Sequence, residues 1–523
     1  MICLVSKLME GLKMNQYVLF AVALIPIAFL IVMLGVLNKP AHLSGILSVV
    51  ITAILAVIFF NETPYEVSTA IAEGVAYGAW PIMITIIAAL FTYYLAERNK
   101  TMEVIRNMLA GISGDPRIQV LIIAWAFGGF LEGVAGYGTA VALPASLLVV
   151  LGFEPMKAAL LCLIANTVPT AFGAIGIPVI ALGEVTSLNV VELGSTIVLQ
   201  TMIFIIVIPL ILVMITGNGV KGLKGVFGIT LVSGITFAIP QFLVATYLGA
   251  ELPSLVGGLV SLAATIIVAL TLYRNKDSHA AKVTITFKQA VFAWLPYILI
   301  VILILLTTPL FETIHDALAQ VKTSVVIYQG EGAGATTFKW LTTPGVIIIV
   351  ATVIAGLIQG TSLKVIGEVF IGVCYKMRLS AVTVLAIVSL AKIMDYSGMV
   401  DAIAVILVTV TGSFFPLIAP ALGALGTFIT GSDTSANLLF GPLQQQVAGQ
   451  IGVNEYWLVA SNTAGATLGK MISPQSVAVA ASATALVGQE GNILSKTVKY
   501  CFGFVLVLGI IIYVGGLYLP ITA

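Results

Sequence analysis

The chain has 523 residues, of which 60% are hydrophobic and 9% charged, with 23 Lys and Arg against 22 Asp and Glu, and its mean hydropathy is +1.14. Soluble domains carry about 25% charged residues, so this composition describes a polytopic membrane protein. A formal net charge of +1 leaves no basic face for nucleic acid. Cys3, Cys162, Cys374 and Cys501, with His42, His279 and His315, are too scattered for a disulfide framework, a haem or a metal site, so no metal and no cofactor are expected.

Lys7 and Lys13 precede an apolar run from Tyr17 to Leu37. At about 20 residues it is long enough to span a ~30 Å hydrocarbon core, and no small-x-small cleavage site follows. We therefore read it as a first membrane helix and not as a secretion signal. Full-length apolar segments follow at about 43–60, 75–96, 195–216, 225–248, 253–273, 289–310, 342–358, 379–397 and 500–520. With interrupted segments at about 157–185 and 456–485, the reading is an all-α polytopic membrane protein of about 12 full spans.

Two stretches resist assignment as single spans. Residues 118–151 hold two helical runs around Gly133-Val-Ala-Gly136-Tyr-Gly138, and residues 415–450 hold two more around Gly431-Ser-Asp-Thr-Ser-Ala-Asn437. Each arm covers about half of the core, so each stretch is expected to be a re-entrant helical hairpin. The interrupted segments are related to each other. Ala165-Asn166-Thr167 is followed by Gly173 and Pro178 at the spacings with which Ser461-Asn462-Thr463 is followed by Gly469 and Pro474. Asn, Thr, Gly and Pro break a helix, and at membrane depth the freed backbone groups persist only where they line protein or a wet cavity. A doubled break of this kind points to the binding site of a secondary transporter.

Loop charge orients the chain. If the Arg98–Arg117 region is cytoplasmic, the clusters Lys221/Lys224, Arg274/Lys276/Lys282/Lys288, Lys364/Lys376/Arg378 and Lys496/Lys499 are cytoplasmic too, and the loops 184–192 and 249–251, without Lys or Arg, are external. The N-terminus with Lys7 and Lys13 then falls outside, against the rule. Phe130-Leu-Glu-Gly133 matches Phe428-Ile-Thr-Gly431, and Pro144 matches Pro442. The expected organisation is therefore two inverted structural repeats, 16–216 and 288–520, joined by a helix pair in 217–287. Kinks and close packing would explain isolated Gly and Pro, but not matched spacings in two copies.

Gly129-Phe-Leu-Glu-Gly-Val-Ala-Gly-Tyr-Gly138, Leu163-Ile-Ala-Asn-Thr-Val-Pro-Thr-Ala-Phe-Gly-Ala-Ile-Gly-Ile-Pro178, Gly431–Asn437 and Gly469-Lys-Met-Ile-Ser-Pro-Gln-Ser476 resemble the signature segments of the L-lactate permease family of bacterial symporters. The resemblance covers almost the whole chain. It implies a multi-pass protein of the bacterial inner membrane that imports lactate, and also glycolate, by proton symport. The Asn-Thr breaks are further similar to the Ser-Asn-Thr motifs of a larger ion-transporter superfamily, in which hairpins and broken helices form a moving transport domain. Relatives of that kind are commonly dimers, so a second copy of the chain is a candidate partner besides the substrate anion, H+ and the lipid bilayer. Two departures stand out. Ala165 replaces a Ser usual in the superfamily, which weakens a paired sodium site, and Tyr137 stands where relatives have Phe.

A short 2-hydroxycarboxylate needs donors for its carboxylate, a partner for its hydroxyl and room for an alkyl group. Helix N-termini at the breaks offer N–H groups and positive dipole ends, beside which Asn166, Thr167, Ser461, Asn462 and Thr463 could bond the substrate or satisfy the interrupted backbone. Lys470 is the cation expected deepest in the second break, where an ammonium costs at least about 2.5–3.5 kcal/mol, and is our candidate for the substrate carboxylate; the alternative is an ion pair with Glu132 or Asp433. Tyr137 is a wall or substrate-binding candidate. Glu132 and Asp433 sit at the two hairpin tips, where desolvation favours a protonated carboxyl, and are the proton-coupling candidates; Asp433 could instead cap the turn. Lys392 and Asp395 fall at i, i+3 and are expected to form a structural or coupling pair. Trp80, Trp125, Trp294, Trp340 and Trp457 lie mostly near span ends and read as interfacial anchors. A sodium-coupled organic-anion carrier is the alternative function. A channel would need rings or repeated filter loops, and no His/Cys cluster, nucleophile elbow or phosphate loop suggests an enzyme.

Overall fold

The apolar segments fold as helices whose ends coincide with capping residues, Pro or Gly. The computed structural model describes residues 16–37, 39–136, 138–273, 286–307, 311–486 and 489–518. Tyr137, Lys7, Lys13, Cys3, Arg274, Lys276, His279 and Lys282 lie outside the described residues.

The first half consists of α1 (Gln16–Ile31), α2 (Ala41–Phe59), α3 (Pro64–Arg98), α4 (Thr101–Ala110), the hairpin α5–α6 (Pro116–Val134 and Thr139–Val150), the interrupted pair α7–α8 (Pro155–Ala165 and Gly173–Thr186) and α9 (Val190–Thr216). Helices α10 (Phe227–Tyr247) and α11 (Pro253–Leu272) follow as a pair. The second half has α12 (Phe287–Thr307), a short α13 (Glu312–Ala319), the strands β1 (Lys322–Val326) and β2 (Ala335–Lys339), then α14 (Pro344–Ile358), α15 (Leu363–Tyr396) and α16 (Met399–Thr411). It closes with the hairpin α17–α18 (Phe415–Thr430 and Asp433–Ile451), the interrupted pair α19–α20 (Glu455–Gly469 and Pro474–Ala483) and α21 (Glu490–Tyr518). Among the described residues, 12 helices are long and apolar enough to cross a membrane.

Several details differ from the sequence expectations. The hairpin arms are 19, 12, 16 and 19 residues long, so all four exceed half of a ~30 Å core at 1.5 Å per residue. The two longest begin at capped first turns: Asp115 accepts from Arg117 N ahead of α5, and Ser432 from Ser435 N ahead of α18. Helix α3 begins well before the expected residue 75, at a capping box between Thr63 and Glu66, and bends where Trp80 turns extended (φ −138°, ψ 119°) ahead of Pro81. The antiparallel strands, in register from Lys322↔Lys339 to Val326↔Ala335, were not anticipated. Nor is Trp125 an interfacial anchor: it is fully buried against Phe237, and Trp457 is buried with its indole donating to Ile512 O.

Small residues decide which helices meet. Lipid gives no hydrophobic drive for helix association, so the contacts rest on close backbone approach. Gly465 and Gly469 of α19, one turn apart, lie so close to α17 that an added Cβ would stand 1.9 Å from Pro420 O and 2.3 Å from Ala424 O. Gly74 of α3 approaches α15 in the same way, with Ser389 Cα 2.4 Å from such a Cβ. The hairpins and breaks form the interior. In the span windows, 94% of α5 and 83% of residues 168–186 are buried, against 28% for α12 and for α21. The packing is reciprocal across the two halves: α6 of the first hairpin packs on α20 of the second break, and α18 of the second hairpin packs on α8 of the first.

Candidate functional site

Four local features bring the site together. Gly136 (φ +57°) and Gly138 (φ +84°) bound the turn between α5 and α6, and Gly431 (φ +74°) closes α17 in the left-handed region that favours glycine. In the first break, Thr170 Oγ1 donates to Asn166 O, a short 3₁₀ segment runs from Val168 to Phe172, and Ala174, Ile175 and Gly176 are all left-handed (φ 45°, 60° and 75°). A β-branched residue such as Ile175 adopts that region rarely, and outliers of this kind concentrate at ligand sites. In the second break, Lys470–Ile472 forms one 3₁₀ turn, then Ser473 caps α20 by accepting from Ser476 N at 3.2 Å.

These features converge on a cavity of about 60 Å³. The first hairpin contributes Glu132 and Gly136, the first break Thr170, Gly173, Ala174, Ile177 and Pro178, the second hairpin Gly431 to Thr434, and the second break Lys470 and Gln475. The N-terminal ends of α18 and α20 and the restart of α8 therefore face it, each with a positive dipole end. Lys470 Nζ donates to Gly431 O at 2.6 Å. Oε2 of Glu132 and both carboxyl oxygens of Asp433 are buried without a hydrogen-bond partner. The cavity thus combines two carboxyl groups, one ammonium, helix N-termini, the hydroxyls of Thr170, Ser432 and Thr434 and the Gln475 amide, a donor set that suits a small carboxylate.

Residues 19–517 match the family model described as L-lactate permease. The chain belongs to the L-lactate permease family. It is 51% identical over 438 residues to an L-lactate permease of Streptococcus iniae, covering 84% of this chain and 92% of that relative. It is 36% identical over 531 residues to a glycolate permease of Escherichia coli strain K12, covering 94% of each. Among solved structures, Neisseria gonorrhoeae MtrF, from a class of antimetabolite efflux pumps, covers 93% of this chain and 96% of its own, with a TM-score of 0.51 at 14% identity; at that identity the likeness concerns the fold. As a member of a permease family with 12 membrane-length apolar helices among its described residues, the protein is a multi-pass membrane transport protein and not an enzyme.

In this family member the charged candidates separate from the Asn-Thr candidates. Glu132, Asp433 and Lys470 share the cavity. Lys470 forms no ion pair with either acid, since the ion pairs among the described residues are Arg117–Asp115 and Lys392–Glu73. Ser432, not Asp433, caps the turn. Asn166, Thr167, Ser461, Asn462 and Thr463 are buried behind the cavity and do not line it. The Thr167 and Ser461 hydroxyls donate to Ile164 O and Leu458 O of their own helices, and Asn462 Nδ2 and Thr463 Oγ1 both donate to Asn437 Oδ1 at 3.0 Å.

The expected Lys392–Asp395 pair is corrected. Lys392 Nζ meets Glu73 Oε1 of α3 at 2.8 Å, because α15 presents it to the α3 crossing. Tyr396 Oη donates to the same oxygen at 2.6 Å, and Tyr328 N to Glu73 Oε2 at 3.2 Å. Tyr328, from the β1–β2 connection, stacks on Tyr396 with ring centroids 3.7 Å apart. Glu73 carried no sequence signal beyond a charge in a helix. Asn437, Thr170 and Gln475 were also missed, although Asn437 stood in a polar string that reads equally well as a turn.

Proposed function

We propose that this chain imports L-lactate and similar short 2-hydroxymonocarboxylates such as glycolate by proton symport, through alternating exposure of the cavity between two inverted halves in a bacterial cell membrane. The observation that carries the coupling is the charge set of the cavity. With both acids ionised and a carboxylate bound, three negative charges would face the single ammonium of Lys470. Excess buried charge of one sign is costly at low dielectric, so an anion and at least one proton enter more readily together than apart. Lys470 would release Gly431 O and take the substrate carboxylate, the helix N-termini would complete its hydrogen bonds, and Glu132 would hold the accompanying proton, with Asp433 as a second carrier. The hydroxyls of Thr170 and Thr434 and the Gln475 amide, which line the cavity, would meet the 2-hydroxyl. The order hairpin, interrupted pair and closing helix that recurs in the halves, the reciprocal packing of α6 on α20 and α18 on α8, and the names of the relatives support this reading. Uptake of labelled L-lactate into proteoliposomes tests it: accumulation should follow an inward proton gradient and collapse with a protonophore, and uptake indifferent to the gradient overturns the coupling.

A sodium-coupled reading also has an observation in its favour. Asn166 Oδ1 and Asn462 Oδ1, at corresponding positions of the two breaks, are buried acceptors without partners, which suits a hard cation. Uptake in sodium-free buffer separates the two readings, since only the sodium reading requires its loss.

A further inference from the structure

We propose that Asn437 is a positioning residue that sets the geometry of the substrate cavity; the inference rests on the reading of that cavity as the substrate site. Asn437 is fully buried in α18, one helical turn beyond Asp433 and so on the same face. Its side chain makes three bonds to two other segments. Oδ1 accepts from Asn462 Nδ2 and Thr463 Oγ1 of α19, both at 3.0 Å, and Nδ2 donates to Pro178 O of α8 at 2.9 Å. Those segments carry the opposing walls of the cavity: α19 runs directly into Lys470, and Pro178 follows the left-handed turn whose neighbours Gly173, Ala174 and Ile177 line it. One amide therefore ties the Asp433 wall to the Lys470 wall and to the first break.

Among the described residues the arrangement exists in one half only. In the register that aligns Phe130 with Phe428 and Pro144 with Pro442, Asn437 falls opposite Thr139, whose hydroxyl closes locally on Gly136 O at 2.7 Å. Asn462 accordingly meets Asn437 across the helices, whereas Asn166 Nδ2 donates to Thr170 Oγ1 of its own segment at 3.4 Å and its amide also faces the Glu132 carboxyl, with no counterpart of Asn437. The hub sits in the half that also supplies Asp433 and Lys470, as expected if its role is to hold those groups in register with the bound anion and not simply to satisfy a repeated backbone break. A fork of this kind needs a donor and an acceptor on separate atoms of one short side chain, which the Asn amide supplies, whereas Thr carries both functions on a single oxygen.

A control separates positioning from helix clamping. Gln445 Nε2 donates to Thr186 O at 3.0 Å, joining the same two helices, α18 and α8, two turns from Asn437 and away from the cavity. Lactate KM and Vmax are measured in proteoliposomes under a fixed proton gradient for the parent, Asn437→Thr and Gln445→Ala, with melting in detergent recorded for each. Asn437→Thr should raise KM at least tenfold with Vmax within threefold of the parent, while Gln445→Ala keeps the parental KM. The inference is overturned if Asn437→Thr keeps the parental KM, or if both variants raise it equally. Should Asn437→Thr fail to insert or transport, Thr463→Val, an isosteric change that removes one of the three bonds, should still raise KM about threefold; a parental KM there overturns the inference equally. If the parent itself does not accumulate lactate, the functional proposal fails, an outcome distinct from any of these.

Discussion

Replacing Lys470 with Gln tests the carboxylate site most directly. In the structure the ammonium donates to Gly431 O at 2.6 Å, lines the cavity with Glu132 and Asp433, and makes no ion pair with either. Its charge, which acts on both acids without contact, can meet a bound anion once the ammonium releases Gly431 O. Truncating one partner of a buried, hydrogen-bonded charge pair costs about 2–5 kcal/mol. Gln retains a donor of nearly the same reach, so the loss should lie near the lower end, roughly 2–3 kcal/mol. At 1.4 kcal/mol per factor of ten, this is about a 30- to 150-fold rise in the lactate KM. Initial rates of proteoliposome uptake over a range of lactate concentrations, with membrane insertion checked for each variant, measure it, and Lys470→Arg should recover part of the loss. A Lys470→Gln protein with a KM within threefold of the parent would refute the assignment, because among the described residues no other cation lines the cavity.

Other outcomes follow from named contacts. Glu132→Gln should abolish proton-driven accumulation while lactate exchange persists; an unchanged dependence of uptake on external pH would move the coupling elsewhere. A Cβ at Gly173 would stand 2.5 Å from Glu132 Oε1, so Gly173→Ala should displace that carboxyl and lower lactate affinity with little change in the melting temperature, and wild-type kinetics would show that the Glu132 orientation is immaterial. Gly465→Ala should prevent the α17–α19 contact, since 1.9 Å to Pro420 O leaves only backbone to yield; normal detergent-extracted yield and melting would contradict the packing. Removing one partner of a buried ion pair costs about 3–5 kcal/mol, so Glu73→Gln should lower thermal stability markedly. Adding Lys392→Met to it should restore much of the loss, and additive losses in the double variant would deny the pair.

Sequence alone determined the membrane class, most of the spans, both hairpins and both breaks. Those follow from local chemistry: a bilayer demands long apolar runs with satisfied backbones, and Gly, Pro, Asn and Ser mark where a helix cannot continue. The same local chemistry singled out Glu132, Asp433 and Lys470 as charges that need a reason to be buried. Only the tertiary structure decided that these three share one cavity, that Asn462 and Thr463 turn toward Asn437 behind it, that Lys392 pairs with Glu73 and not with its neighbour Asp395, and that Tyr328 seats on Tyr396. Each of those facts depends on how one element is turned against another tens to hundreds of residues away, set by backbone contacts such as Gly465 on Pro420, and spacing along a single helix carries no information about that orientation.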